Sequence, residues 1–507
     1  MKRNVIYPRQ DSLVSPVVEN PFVHRLNWTV YDYIKVALMS ITIAPIRLIL
    51  VGICLLSAWP LAAIAVGFRS EADRNKPLEG WRKAINRPLI FIGWVIFSLV
   101  GFQNVKVKGR PAYPSEAPIA CVAPHSSFFD AIVYFTGKHL ASPVSKTEND
   151  GVILVGTLMQ FTQPVYVKRE DPDSRVNTIK EISRRAQSKG EWPQVIIFPE
   201  GTCTNRSCLI TFKPGAFYPG QPVQPVCVKY PNRFDTITWT WEGPGAFALL
   251  WLTLCQFHNY MEIEYLPVYY PTPEDKQDAK VFANHVRDKM AECLEVPITD
   301  HTYDDCRLMV RAAKLNLPMA TGLVEFHKLH KKLGISFAQM HDHLEKFRKI
   351  TDNKAGSITI KEFASYLRLP VSSTLQEIFH TYDRNSSGTI DFREYIIGLS
   401  LVSGPANTED TIKLAFQLFD SENNGYITED GLTTILHNAF GMDQDDVHQL
   451  FEEADKDQDG KISYDEFEQQ AADKPDYAKI FVAYQNMVNK NGHPEPAQEE
   501  NQKAKTE

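Results

Sequence analysis

His125 and Asp130 lie in the run Ala-Pro-His-Ser-Ser-Phe-Phe-Asp, residues 123–130. They combine a base with a carboxylate able to orient it. On a regular helix, residues i and i+5 point roughly 140° apart, so the two cannot share one helix face. They meet if His125 sits in a loop and Asp130 in the first turn of the helix that follows. The sequence allows this. Pro118 to Ala123 is apolar and strand-like, Ser126 and Ser127 are good N-cap residues, and Phe128 to Tyr134 reads as helix. Asp130 would then accept from one ring nitrogen and fix the tautomer. The other nitrogen would take a proton from an alcohol. No serine or cysteine nucleophile is required if a substrate hydroxyl attacks by itself. For this pair alone, a packed histidine and a helix-capping aspartate is an equally good reading.

A second run shifts the balance. Phe-Pro-Glu-Gly-Thr-Cys-Thr-Asn-Arg spans Phe198 to Arg206 and begins after a short apolar strand, Val195 to Phe198. Gly201 allows close backbone approach to a ligand. Backbone N–H groups and Arg206 suit a phosphate or polar lipid head. The two runs in this order suggest acyl transfer to a hydroxyl.

His-x-x-x-x-Asp followed by Glu-Gly-Thr resembles the glycerophospholipid acyltransferase superfamily. The longer runs, Ala123 to Asp130 and Phe198 to Phe217, are similar to its lysophosphatidylcholine acyltransferase branch, and the similarity extends over roughly residues 36 to 480. The resemblance implies that His125 is the general base for a lysolipid hydroxyl and Asp130 its partner. It implies that Glu200, Gly201 and Thr202 with Arg206 hold the lysolipid phosphate. It adds Arg169, in Tyr-Val-Lys-Arg, as a further basic group, and Pro225 as an architectural residue. The implied reaction carries an acyl or acetyl group from acyl-CoA to the sn-2 hydroxyl of a lysophospholipid, lysophosphatidylcholine foremost, without an acyl-enzyme. The helix N-terminus after His125 is one source of oxyanion donors.

The C-terminal third has a different chemistry. Asp383 to Glu394 matches an EF-hand calcium loop, with Asp383, Asn385, Ser387, Thr389 (through its carbonyl), Asp391 and Glu394 as ligands and Gly388 at the turn. Asp455 to Glu466 matches it again, with Asp455, Asp457, Asp459, Lys461 (carbonyl), Ser463 and Glu466. A third loop, Asp420 to Gly431, ends on a residue that cannot chelate. A fourth, Thr351 to Glu362, has Thr351 and Ala355 where oxygen ligands are expected. Four units make two pairs, each with one good and one poor site.

These sites need elements to carry them. Alternating strand-like and helix-like stretches between residues 104 and 300 predict an α/β acyltransferase domain with catalytic loops at strand ends. The strands are expected at Val105–Val107, Ile119–Val122, Pro164–Val167, Val195–Phe198, Val223–Val228 and Ile263–Val268, and the main helices at 174–188 and 279–294. Ahead of it, residues 36–103 are membrane-embedded, and 1–35 form a tail. Leu48 to Gly67 is long enough to span a bilayer. Pro45, Pro60 and Arg47 make a bent re-entrant hairpin the alternative, and Pro88 to Phe102 could lie in the interface. A helical connector (301–345), an all-α EF-hand module (346–475) and a C-terminal helix with a polar tail (476–507) follow. Trp239, Trp241 and Phe247 to Leu254 read either as a lipid-facing or acyl-tunnel wall or as plain core.

Composition excludes other classes. A net charge of −7 gives no basis for nucleic-acid binding. The eight cysteines are scattered without a Cys-x-x-Cys, so neither a disulfide framework nor a zinc site is expected. Of the glycosylation sequons at Asn27, Asn205 and Asn385, the last two overlap functional motifs and are discounted. Lys503 and Lys505 resemble a retrieval signal, which points to the endoplasmic reticulum membrane, with the Golgi and lipid droplets as alternatives. The expected partners are lysophospholipid, acyl-CoA, calcium and the bilayer. The rival reading is a calcium-dependent membrane scaffold with a vestigial acyltransferase domain.

Overall fold

The computed structural model describes residues 19–67, 69, 73, 75–137, 140–147, 155–167, 174–351, 356–367, 369–403, 416, 419–420, 424–440 and 442–473. Arg169 and the tail beyond residue 473 lie outside them, as do Ala355 and Glu422 of the two poorer calcium loops. The chain divides into two units, Met1–Tyr303 and Asp304–Glu507.

The first unit is built on a seven-stranded sheet. Its strands are β1 (Asn104–Lys108), β2 (Ile119–Ala123), β3 (Ser142–Lys146), β4 (Val165–Val167), β5 (Val195–Ile197), β6 (Val223–Lys229) and β7 (Tyr260–Tyr265). Their order is β1-β7-β6-β2-β5-β3-β4. Only β6 and β7 run antiparallel. Side chains alternate between two buried faces, as a mostly parallel sheet requires. Ala120 and Val122 of β2 enter one core, while Ile119, Cys121 and Ala123 enter the other. Helices α4 (Ser174–Ala186) and α6 (Ala279–Leu294) supply Ile182, Phe282, Val286 and Met290 to that second core.

The sequence expectation omits β3. Its residues, Ser-Pro-Val-Ser-Lys, lack an apolar alternation, and Pro143 argues against an interior strand. The structure accommodates it because β3 pairs with β5 through Ser142 and Pro143 alone, and otherwise pairs with β4.

The other face is covered by apolar helices α1 (Val30–Ile41), α2 (Ile43–Val66), α3 (Asn86–Val100) and α5 (Ala246–Leu254). The stretch 43–66 is one continuous helix, not the hairpin that Pro45 and Pro60 suggested. Pro45 falls in the first turn, where its missing N–H costs nothing, and Pro60 is accommodated within the helix. Arg47 is not stranded either. Its guanidinium donates to the carbonyls of Leu254, Gln256 and Phe257, capping the end of α5. Helix α2 and the segment Gly80–Val100 are long and apolar enough to cross a membrane, and little of either is buried. Ala58, Ala62 and Ala65 pack the inner stripe of α2 against Leu89 and Phe161. The outer stripe leaves Ile46, Ile49, Ile53, Leu56 and Ile64 exposed. Gly93 lets α3 lie against Phe135, whose carbonyl accepts from Trp94 Nε1 at 3.1 Å. The apolar layer thus braces the segment that carries Asp130.

The second unit is helical, with two short antiparallel strand pairs. Ile358 pairs with Ile390, joining the loops 351–362 and 383–394. Ile427 pairs with Ile462, joining the loops 420–431 and 455–466. Each pairing therefore couples one good calcium loop to one poor one.

Candidate active site

The site sits at the C-terminal ends of β2, β5 and β6, three neighbours in the sheet. After β2 the chain passes through a cis peptide at Ala123–Pro124 and reaches His125. Ser127 then caps a helix in a reciprocal box with Asp130. The expected helix spans Phe128–Phe135 and is of the 3₁₀ type. The box turns the Asp130 carboxylate back towards the preceding loop. Its Oδ2 accepts from His125 Nδ1 at 2.8 Å, Ser126 N–H at 2.8 Å and Ser127 N–H at 3.0 Å. Its Oδ1 accepts from the Tyr230 hydroxyl at 2.6 Å. A carboxylate can only accept, so Nδ1 carries a proton, and in the neutral form of the ring it is Nε2 that can act as base. Asp130 is fully buried, whereas the His125 side chain is 23% exposed.

Three backbone N–H groups at this helix start are already used. Those of Ser126 and Ser127 face Asp130, and that of Phe129 faces Ser127 Oγ. Those three therefore do not serve as oxyanion donors.

The second run grips the first. Strand β5 pairs in parallel with β2, with Cys121 opposite Ile197, so Phe198 emerges beside His125. The two rings stack with centroids 4.2 Å apart. Glu200 Oε2 accepts the His125 N–H at 2.6 Å, and Thr204 N–H donates to the His125 carbonyl at 2.7 Å. Base and loop thus form one construction, although 75 residues separate them. Glu200 is buried and its other oxygen accepts from Ile210 N–H. Its carboxylate holds backbone. Burial pushes Glu200 up to about 7, against these N–H groups, which favour its charged form. Gly201 has φ +67 and turns over Lys213, whose Nζ would lie 2.6 Å from an added Cβ. Thr202 Oγ1 accepts from Trp241 Nε1 at 3.2 Å.

Arg206 pairs with Asp235, Nη2 to Oδ2 at 2.5 Å, and lies 5.3 Å from the centre of the Tyr230 ring. Among the described residues, its Nη1 is buried without a hydrogen-bond partner. Asn205 donates its amide to the carbonyls of Asn20 and Val23, which leaves no nitrogen for a glycan. Pro225 lies in mid-β6 opposite Cys121. Arg169 is outside the described residues.

Burial disfavours a charged His125, but hydrogen bonds to Asp130 and Cys203 outweigh it and raise the imidazole to about 10. Cys203 is thus a neighbour of the base, while Cys208 is wholly buried, its thiol pushed up to about 12. Tyr230 and Asp235 escaped the sequence reading, since neither belongs to a local motif. Trp239 and Trp241 prove outward-facing, at 41% and 48% exposed, between buried Thr238 and Thr240. Phe247 on α5 is 89% exposed. These three face outward, whereas Leu249, Leu252 and Leu254 on the same helix as Phe247 are buried and belong to the core.

In the second unit, one carboxylate oxygen from each of Asp455, Asp457 and Asp459 lies within 4.8 Å of the others. Asp455 Oδ1 is buried and, among the described residues, has no partner. This donor set fits calcium. In the loop 383–394, Gly388 has φ +80 at the turn, and Glu394 reaches back across the loop to the N–H of Asn385 and of Asp391. In the loop 351–362, Thr351 Oγ1 donates to the Ser357 carbonyl and so does not present a carboxylate. In the loop 420–431, Gly431 offers only its N–H, to Thr428. Calcium titration of the whole chain is expected to give two ions. Glu394→Gln and Glu466→Gln should each weaken one of them by about tenfold or more, since each removes the bidentate ligand. Four equal ions, or none, would contradict this.

The comparisons agree with both units. The Acyltransferase family model matches residues 104–229, an EF-hand domain pair matches 409–472, and a single EF hand matches 375–397. Lysophosphatidylcholine acyltransferase 2 of Mus musculus is 50% identical over 96% of this chain and 89% of its own length. The Homo sapiens protein of that name is 49% identical over the same shares. Lysophosphatidylcholine acyltransferase 1 of Homo sapiens is 46% identical over 93% of this chain and 88% of its own. With that coverage at both ends of the alignment, and with the His125–Asp130 pair gripped by the Glu200 loop, the chain belongs to the lysophosphatidylcholine acyltransferase family.

Proposed function

We propose that the protein transfers an acyl group from acyl-CoA to the sn-2 hydroxyl of a lysophospholipid, with lysophosphatidylcholine as the principal acceptor. The reading rests above all on the 2.8 Å contact between buried Asp130 and the partly exposed imidazole of His125. Nε2 of His125 takes the proton of the acceptor hydroxyl as its oxygen attacks the thioester carbonyl. The new ester bond forms, the C–S bond breaks, and the proton passes from His125 to the departing coenzyme A thiolate. Asp130 holds the ring and offsets its transient charge. Cys203 is not required as a nucleophile, because the lipid oxygen attacks directly.

Arg206 anchors the acceptor phosphate through its unpartnered Nη1, and the backbone of Gly201 and Thr202 shapes the approach. Arg169 contributes a second positive charge. Glu200 serves this pocket by fixing its backbone. The two apolar helices support a membrane location, with the endoplasmic reticulum membrane as the compartment we favour. There the lipid reaches the site from the bilayer and the thioester from the water side. Calcium at Asp383–Glu394 and Asp455–Glu466 cross-links the helices of the second unit.

The test is turnover of purified protein in vesicles, with choline, glycerol and free-phosphate lysolipids and with acetyl- and palmitoyl-CoA, in calcium and in chelator. Preferred esterification of lysophosphatidylcholine is expected. Membrane binding without ester formation from any pair would favour the scaffold reading instead.

A further inference from the structure

Tyr230 follows the last residue of β6 and is almost wholly buried. Its environment has two halves. Its hydroxyl donates to Asp130 Oδ1 at 2.6 Å, while Oδ2 already accepts from three other donors. Burial and the Asp130 charge both hold this hydroxyl protonated, as a donor must be. The ring of the same side chain packs beside the Arg206 guanidinium, 5.3 Å from centre to carbon, a cation–π distance. Five residues on, Asp235 takes Arg206 Nη2. Asp235 is itself fixed by the N–H groups of Ile237 and Thr238 and by the Thr238 hydroxyl. Its backbone carbonyl, in turn, meets His24 Nε2 at 2.8 Å. The segment 230–238 therefore touches the acid of the catalytic pair and the arginine of the phosphate pocket.

We propose that Tyr230 and Asp235 are positioning residues that set the general base and the phosphate-binding arginine in register. The proposal rests on the assignment of His125 as base and Arg206 as phosphate anchor. A lysolipid has a short, fixed path from phosphate to sn-2 hydroxyl. Anchoring the phosphate delivers the hydroxyl to Nε2 only if the two protein groups keep a fixed separation. One rigid aromatic side chain bonded to both sides supplies that separation. A merely structural Tyr230 would act through packing alone, for example against Phe102, where the ring centroids are 6.3 Å apart. Tyr230→Phe keeps the ring and removes the hydroxyl, so it distinguishes the two.

Steady-state kinetics of the full chain in vesicles test this. Tyr230→Phe is expected to lower kcat by about 10- to 100-fold with little change in the KM for lysophosphatidylcholine, since a buried carboxylate loses a charge-assisted hydrogen bond. Asp235→Asn is expected to raise that KM by about tenfold with a smaller effect on kcat, and to leave the KM for acyl-CoA unchanged. Tyr230→Leu should show both defects. Melting curves check that each variant folds. Wild-type kcat in Tyr230→Phe, or parallel losses in every parameter that track a lower melting temperature, would overturn the proposal. If Tyr230→Phe does not fold, Asp235→Asn decides alone, and an unchanged KM overturns it. His125→Ala serves as the reference. An active His125→Ala defeats the assignment of the base itself. An inactive one beside a wild-type-like Tyr230→Phe defeats only the register proposal.

Discussion

His125→Ala is expected to lower kcat by about 10²–10⁴-fold, the usual contribution of a positioned general base, with calcium and membrane binding intact. The reason is local. Alanine removes Nε2 but leaves the backbone bonds of residue 125, which run to Glu200 and from Thr204. The loop architecture therefore survives, and the loss reports the missing proton acceptor. A variant that collapsed would lose calcium-independent stability too, and its melting curve would show it. Turnover of labelled acyl-CoA by the purified variant, compared with wild type at equal folded concentration, is the measurement. Activity near the wild-type level would remove His125 from the chemistry and leave the scaffold reading standing.

Asp130→Asn is the second large effect expected, a fall of about 10³-fold or more in kcat. Asp130 has four donors to satisfy and no exposed surface. An amide has one oxygen, so either the Nδ1 side or the Tyr230 side must face an N–H group, and the bond now donated there to the carboxylate is lost. With the oxygen towards His125, the ring keeps its orientation but the imidazolium formed in the reaction has no neighbouring charge. With the nitrogen there, the ring is driven to the wrong tautomer. Either orientation impairs catalysis, and neither affects the EF-hand unit. Measuring kcat alongside the melting curve separates loss of chemistry from loss of fold. A variant with less than a tenfold defect would show that the 2.8 Å contact does not orient the base.

Much of this was legible in the chain. The His125–Asp130 spacing required a loop followed by a helix start, and the Ser127–Asp130 capping box is how the fold supplies it. The strands β2 and β5 were evident from their unbroken hydrophobic runs, and β6 from its apolar residues around Gln224 and Pro225. What escaped had no local signature. Strand β3 is held by its neighbours despite Pro143. Tyr230 meets Asp130 across 100 residues, and Asp235 meets Arg206 across 29, through sheet topology that periodicity does not encode. Glu200 could be placed near the site, but the burial that makes it a backbone clamp depends on packing against the loop before the helix. A bend between Ile43 and Val66 stood as an alternative to a straight span because a proline's cost depends on the turn it occupies, and Arg47 reads as costly because its partners at the end of α5 lie over 200 residues away.

The central claim is that an imidazole, made more basic by its carboxylate neighbour, accepts the lipid proton. The pH dependence of kcat/KM tests it most directly. Asp130 and Cys203 raise His125 above the ordinary value of 6.5, so the ring in the free enzyme stays protonated further into the alkaline range. Only the neutral ring can accept a proton. Activity should therefore rise with pH through a limb lying above 6.5, and Asp130→Asn, where burial acts without the opposing charge, should move that limb down. A profile that is flat between about pH 5.5 and 9, or a limb unmoved by Asp130→Asn, would contradict the account.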